Sequence, residues 1–116
     1  DDSADAISAA LLPIKAMLGF YIGGMGAKGQ NYHTKLMARM GFEAEAHRIQ
    51  DLFLEGRRDE AVAMVPDGFA DEISLVGTTE RIRERLGAFA DSPVTMLNVA
   101  PRSTGHLHQV AELILA

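Results

Sequence analysis

The sequence contains no cysteine in its 116 residues, so disulfides and thiolate chemistry are excluded. That composition fits a reducing cytoplasm, which is the predicted location. A basic patch is also missing, because the formal net charge is -5 and the densest basic run, residues 81–85, includes an acid. Nucleic acids and anionic membranes attract clustered cations, so neither is predicted to be a partner.

Long apolar runs and leader-like segments are equally scarce. We find no stretch long enough to span a bilayer, and no charged segment followed by an apolar core at the start. With 47% hydrophobic residues the chain is predicted to be folded, as one domain or a piece of one. It begins with Asp1 rather than a methionine, which favours a piece of a longer protein.

Residues 76–116 are predicted to form a helix, a strand and a second helix. Thr78 is placed to cap the first helix, and apolar side chains then recur every three or four residues. Residues 94–99 are short and nearly all apolar, which is typical of a parallel strand buried on both faces. Ser103 or Thr104 can cap the last helix. This segment is therefore interpreted as an αβα unit.

Residues 1–75 are predicted to be helical. Apolar periodicity indicates helices over residues 5–22, 31–40, 42–54 and 59–65. Asn31 and Asp59 are placed to cap the second and the fourth of these, and Gly56 to close the third. No second convincing strand accompanies residues 94–99, and a lone strand leaves its backbone groups unpaired. We therefore predict an α/β fold, mostly helical with one clear parallel-type strand, whose sheet is completed by another copy or by the rest of a longer polypeptide.

Two motifs in the sequence are not interpreted as sites. Residues 24–29 match the pattern G-x-G-x-x-G, but a predicted helix precedes them where a dinucleotide site needs a strand, which favours a flexible loop. His106 and His108 would project from different sides of a helix, so no metal site is predicted. Catalytic residues and cofactor ligands remain unassigned.

Three residues are candidates for contacting a substrate. Lys28 lies in the glycine-rich loop and could meet an anionic ligand, although exposed lysines usually meet water. Arg102 and Ser103 follow the predicted strand and precede a helix, which is where ligands bind in barrels and open α/β sheets. A plain loop with Ser103 as the helix cap is the alternative.

Several short segments, in a maintained order, carry a family resemblance. They are residues 21–26, 31–32, 40–46, 49–52, 56–57, 60–61, 65–67, 75–78 and 80–86. Taken together, they resemble the C-terminal portion of the luciferase-like flavin- or F420-dependent oxidoreductases. The similarity extends over residues 20–99, and it points to the F420 branch more than to true luciferases.

This resemblance implies a fold and a function. It implies that the chain is a C-terminal fragment of a (β/α)8 TIM barrel, inactive alone and completed by the remainder of the barrel. The implied activity is hydride transfer between F420 or FMN and a small organic substrate, in a homo-oligomer. The alternative interpretation is a stand-alone helical dimerisation module without catalysis.

Overall fold

The computed structural model describes residues 3–115, and its regular elements are all helical. They are α1 (Ala4–Gly24), α2 (Tyr32–Met37), α3 (Glu43–Leu54), α4 (Arg58–Ala63), α5 (Asp67–Glu72), α6 (Thr79–Ala90) and α7 (Thr104–Leu115). The segment Ala38–Phe42 joins α2 to α3 through a kink at Gly41, which has a φ of 99°. These elements divide into two compact units, an N-terminal unit of residues 3–74 and a C-terminal unit that begins at Leu75.

The N-terminal unit is built around α1, which packs against α2, α3, α4 and α5. Ser3 caps α1, because its hydroxyl accepts a hydrogen bond from the Ala6 N–H. The apolar side chains that are removed from solvent come from all the helices of this unit. They include Leu11, Ile22, Met37, Ile49, Leu52, Val65 and Phe69.

Helix α1 is continuous over 21 residues with Pro13 inside it. By length and composition alone it could cross a membrane, so the prediction that no stretch is long enough is wrong on that criterion. The core helix of a globular unit meets the same criterion, and α1 has four helices packed against it.

An ion pair joins α1 to the start of α5. Lys15 Nζ lies 2.9 Å from Asp67 Oδ1, and the Ser8 hydroxyl donates to Asp67 Oδ2 at 2.7 Å. These two hydrogen bonds stabilise the carboxylate and lower the pKa of Asp67. The Lys15 side chain is only 14% exposed, so its ammonium is poorly hydrated and needs the Asp67 carboxylate to balance its charge.

We expect the Asp67 pair to make stability depend on pH. A carboxyl with a lowered folded-state pKa adds stability above its unfolded pKa of about 3.9, and that stability is lost as pH falls through the folded value. Asp67→Asn is expected to cost about 1 kcal/mol at pH 7, since the carboxylate is half-exposed, and less at pH 3. Urea unfolding at both pH values measures this. Glu43→Gln, at a 78% exposed side chain, is the control. Equal losses at both pH values for Asp67→Asn would contradict the assignment.

The C-terminal unit contains α6 and α7 but no strand. Residues 94–101 have no regular secondary structure, and none of the residues 3–115 is in a β-strand. The predicted α/β fold, a fragment of a (β/α)8 barrel with a parallel strand at residues 94–99, is therefore wrong for this chain. The physical reason is that a strand forms by pairing with another strand edge, and the described residues offer none. Residues 94–100 are all exposed instead.

Candidate functional site

The structure places the three candidate residues in different units: Lys28 in the N-terminal unit, Arg102 and Ser103 in the C-terminal unit. The Lys28 side chain is 73% exposed, and its Nζ lies 2.8 Å from Asp51 Oδ1. This hydrogen bond raises the pKa of Lys28 and lowers the pKa of Asp51. An anionic ligand would therefore have to compete with Asp51 for the lysine.

Asn31 holds both ends of the loop that carries Lys28. The Asn31 amide donates to the carbonyls of Tyr21 and Ile22, both at 2.9 Å, which lie near the end of α1. Its oxygen accepts from the N–H groups of His33 and Thr34 at the start of α2. One buried side chain thus fixes both ends of the loop, which lies between two helices as predicted.

Aromatic side chains gather beside this loop. The rings of Tyr21 and His33 lie 5.0 Å apart, and the Tyr32 ring meets His33 edge-on at 5.6 Å. The Arg39 guanidinium lies 6.0 Å from the Tyr32 ring. Tyr32 is 62% exposed, so these four side chains offer planar and cationic groups at the surface of the N-terminal unit. The sequence signals His33 only by its position after the glycines, and the ring contacts depend on the path of the loop.

In the C-terminal unit, Arg102 and Ser103 lie just before α7, and both form a hydrogen bond with His106. The Ser103 hydroxyl accepts from the His106 N–H at 3.1 Å, as an N-cap does. The Arg102 N–H donates to His106 Nδ1 at 3.0 Å, so the contact involves the backbone of Arg102. Ser103 thus has a structural role, and substrate binding by either residue remains a prediction.

Because Ser103 contributes its side chain and Arg102 only its backbone N–H, substituting each residue should affect stability differently. Ser103→Ala is expected to cost about 1 kcal/mol and to fray the first turn of α7, because the His106 N–H loses its partner. Arg102→Ala keeps the backbone N–H and is the matched control, with little expected change. Thermal unfolding followed by circular dichroism measures both. A loss from Arg102→Ala as large as that from Ser103→Ala would contradict the capping arrangement.

An apolar cleft of about 350 Å³ lies between α6, the segment 94–97 and α7. Its lining includes Leu86, Phe89, Val94, Leu97 and Ile114, with Arg83 as its charged member. A second hollow of about 220 Å³ has His106 in its wall. Cavities of this size accept small, mostly apolar groups. Sequence reasoning considered His106 only as a metal ligand and missed its contacts with Arg102 and Ser103, because these need the turn before α7.

Comparison with known protein families shows which family the chain belongs to. The family described as luciferase-like monooxygenase matches residues 1–96. The chain belongs to this family. The resemblance found over residues 20–99 is thereby confirmed as a family relationship. No solved structure matches the chain.

One curated relative of this luciferase-like chain has a cofactor in its name. It is a Mycobacterium tuberculosis protein named "Putative coenzyme F420-dependent oxidoreductase Rv3520c", 34% identical over 110 residues. The alignment covers 95% of this chain and 32% of the relative. The luciferase-like chain therefore spans about a third of the length of the curated relative it matches.

The apolar cleft of the luciferase-like chain does not fit a flavin or F420 by itself. The polar ring edge and phosphate of such a cofactor need several hydrogen-bond partners when they are buried. The apolar cleft offers only Arg83 and Thr95 among its lining residues. The loop cation, Lys28, is already paired with Asp51. Among residues 3–115, no group of three His, Cys, Asp or Glu side chains is placed to hold a metal ion.

Proposed function

We propose that this chain contributes to an oxidoreductase that transfers hydride between F420 or FMN and a small organic substrate. The observation that carries the proposal is the family match over residues 1–96. The name of the Mycobacterium tuberculosis relative supports F420 as the first cofactor to test.

The chain is proposed to act together with residues that it does not contain. Two observations support this: the chain covers 32% of its relative, and its apolar cleft does not fit the cofactor. The isolated chain is accordingly expected to be inactive. Its place in the enzyme is proposed to be structural or at the edge of the substrate site, in the cytoplasm, which suits a chain without cysteine.

Cofactor titration tests this proposal on the chain and on a longer protein that contains it. Quenching of F420 fluorescence and of FMN fluorescence reports binding to each. We expect saturable F420 binding and substrate-dependent F420 reduction by the longer protein. The chain alone is expected to give no saturable binding up to about 100 µM, a Kd that corresponds to a binding free energy of roughly -5.5 kcal/mol.

Two results would contradict the proposal. Tight one-to-one binding of F420 or FMN by the chain alone would show that it carries a complete cofactor site. Failure of the longer protein to bind or reduce either cofactor would contradict the proposed oxidoreductase function. A preference for FMN over F420 would keep the reaction class and change the cofactor.

A further inference from the structure

The outward side of α2 carries both apolar and cationic side chains. Thr34 and Met37 are buried in the N-terminal unit, which fixes the orientation of the helix. The opposite side, which we name the α2 face, continues past the end of α2 and consists of exposed residues. They are Tyr32, Lys35, Leu36, Arg39 and Met40. Tyr32 is 62% exposed, and Leu36 and Met40 are each 36% exposed.

The side chains of the α2 face form two rows. Tyr32, Leu36 and Met40 follow one another at intervals of four, so they make an apolar row along one side of the helix. Lys35 and Arg39 are also four residues apart and make a cationic row beside it. The Arg39 guanidinium lies 6.0 Å from the Tyr32 ring, so the two rows are in contact. An apolar row flanked by charges of one sign is typical of a helix that packs against a second, oppositely charged helix.

The cations of the α2 face are not balanced by acids. Residues 6–42 contain no aspartate or glutamate, although the whole chain has 16 of them. The two lysines that precede α2 in this stretch are both paired with carboxylates. In the part of the chain that the structure describes, no ion pair includes Lys35 or Arg39. The next acid along the chain, Glu43, has its carboxylate 3.9 Å from His47. The α2 face is thus a local cationic surface on a chain of net charge -5.

We propose that the α2 face binds an acidic amphipathic helix of another polypeptide. Apolar side chains spaced every three or four residues along that helix would pack against Tyr32, Leu36 and Met40. Carboxylates four residues apart along one edge would lie opposite Lys35 and Arg39, because side chains at i and i+4 have the same separation on both helices. The planar Arg39 guanidinium can bind a carboxylate through two parallel hydrogen bonds.

Charge also argues against two other occupants of the α2 face. A two-fold pairing of this face with itself would bring the lysines and arginines of both copies together, so a second copy does not suit it. Anionic membranes are recognised by clusters of about four to eight cations, and the α2 face has two. An acidic helix needs only these two, and its apolar side chains use the row beside them.

Fluorescence anisotropy with a labelled peptide tests this interface without any cofactor. The probe has about 16 residues, long enough to form a helix, with leucines every three or four positions and glutamates four apart along one edge. We expect it to bind the 116-residue chain weakly and reversibly, with a Kd of about 100 µM, because the interface is small. Raising the salt concentration from about 0.05 M to about 0.5 M should weaken binding several-fold. A peptide with lysine in place of every glutamate should bind at least about tenfold more weakly.

Charge reversal tests whether the peptide binds to the α2 face. Lys35→Glu combined with Arg39→Glu should weaken binding of the glutamate peptide by at least about tenfold, and should allow the lysine peptide to bind instead. Leu36→Gln should weaken binding of the glutamate peptide through the apolar row. The control is Arg48→Glu combined with Arg83→Glu, which changes the net charge equally at exposed arginines outside the α2 face. This control should bind the glutamate peptide as the unchanged chain does. Circular dichroism of every variant establishes that the helices are retained.

Three outcomes would overturn the proposal. They are no binding of the glutamate peptide up to about 1 mM, equal binding of the glutamate and lysine peptides, and equal losses from the control pair and the α2-face pair. Sedimentation with phosphatidylserine vesicles tests the membrane alternative. Binding of the chain to these vesicles that is lost in the Lys35→Glu, Arg39→Glu chain, without peptide binding, would assign the α2 face to a membrane and contradict the acidic helix.

Discussion

Replacing Asn31 by alanine is expected to lower the free energy of unfolding by about 3–4 kcal/mol. The Asn31 side chain is 1% exposed and makes four hydrogen bonds to the backbone. Alanine would leave the carbonyl of Tyr21 and the N–H groups of His33 and Thr34 without that partner, in a site that water enters poorly. Urea unfolding followed by circular dichroism measures the loss.

The matched control for Asn31 is the cap of α1. Ser3→Ala also removes a capping oxygen, which accepts from the Ala6 N–H at 3.2 Å, but this site is exposed and water replaces the lost partner. We expect a loss of about 0.5–1 kcal/mol there. Losses of equal size at the two sites would contradict the double capping role assigned to Asn31.

Replacing Gly23 by alanine is expected to cost about 2 kcal/mol or more. Gly23 lies where α1 crosses α3, and a Cβ placed on it would come within 2.6 Å of Phe53 Cγ. The nearest atom is Phe53 Cβ, which rotation of the ring does not move, so the two helices would have to separate. The better helix propensity of alanine offsets only about 1 kcal/mol of this.

Gly68→Ala provides the control for this prediction. Gly68 lies in α5, is exposed, and a Cβ there meets nothing within 4 Å. We expect no loss and a gain of up to about 1 kcal/mol. If both glycine substitutions change stability in the same direction and by the same amount, the close approach of α1 and α3 is not the cause.

Local signals explain why the helix ends could be predicted. Asn31 and Thr78 were predicted as caps from residue type, and both side chains accept hydrogen bonds from the first turn of their helices. Gly56 was predicted to close α3 and has a φ of 83°, which favours glycine. Asp59 was predicted as the cap of α4 and is not, because α4 begins at Arg58 and Asp59 lies in its first turn.

Whether residues 94–99 form a strand, and which residue pairs with Lys28, depends on partners that are distant in sequence. A local sequence pattern does not contain this information. Residues 94–99 have the composition of a buried strand, yet a strand also needs an edge to pair with. The pairing of Lys28 with Asp51 follows from the path of the loop between α1 and α2. Ser103 was open to two interpretations in the sequence, and only its contact with His106 identifies it as a cap.

The most direct test of the proposed oxidoreductase role is an intact mass and an absorption spectrum of one sample purified from the native source. We expect a mass near three times 12.5 kDa, because the chain covers 32% of its relative, together with the chromophore of F420 or a flavin. A mass of 12.5 kDa, no chromophore and no reduction of either cofactor would contradict the proposal.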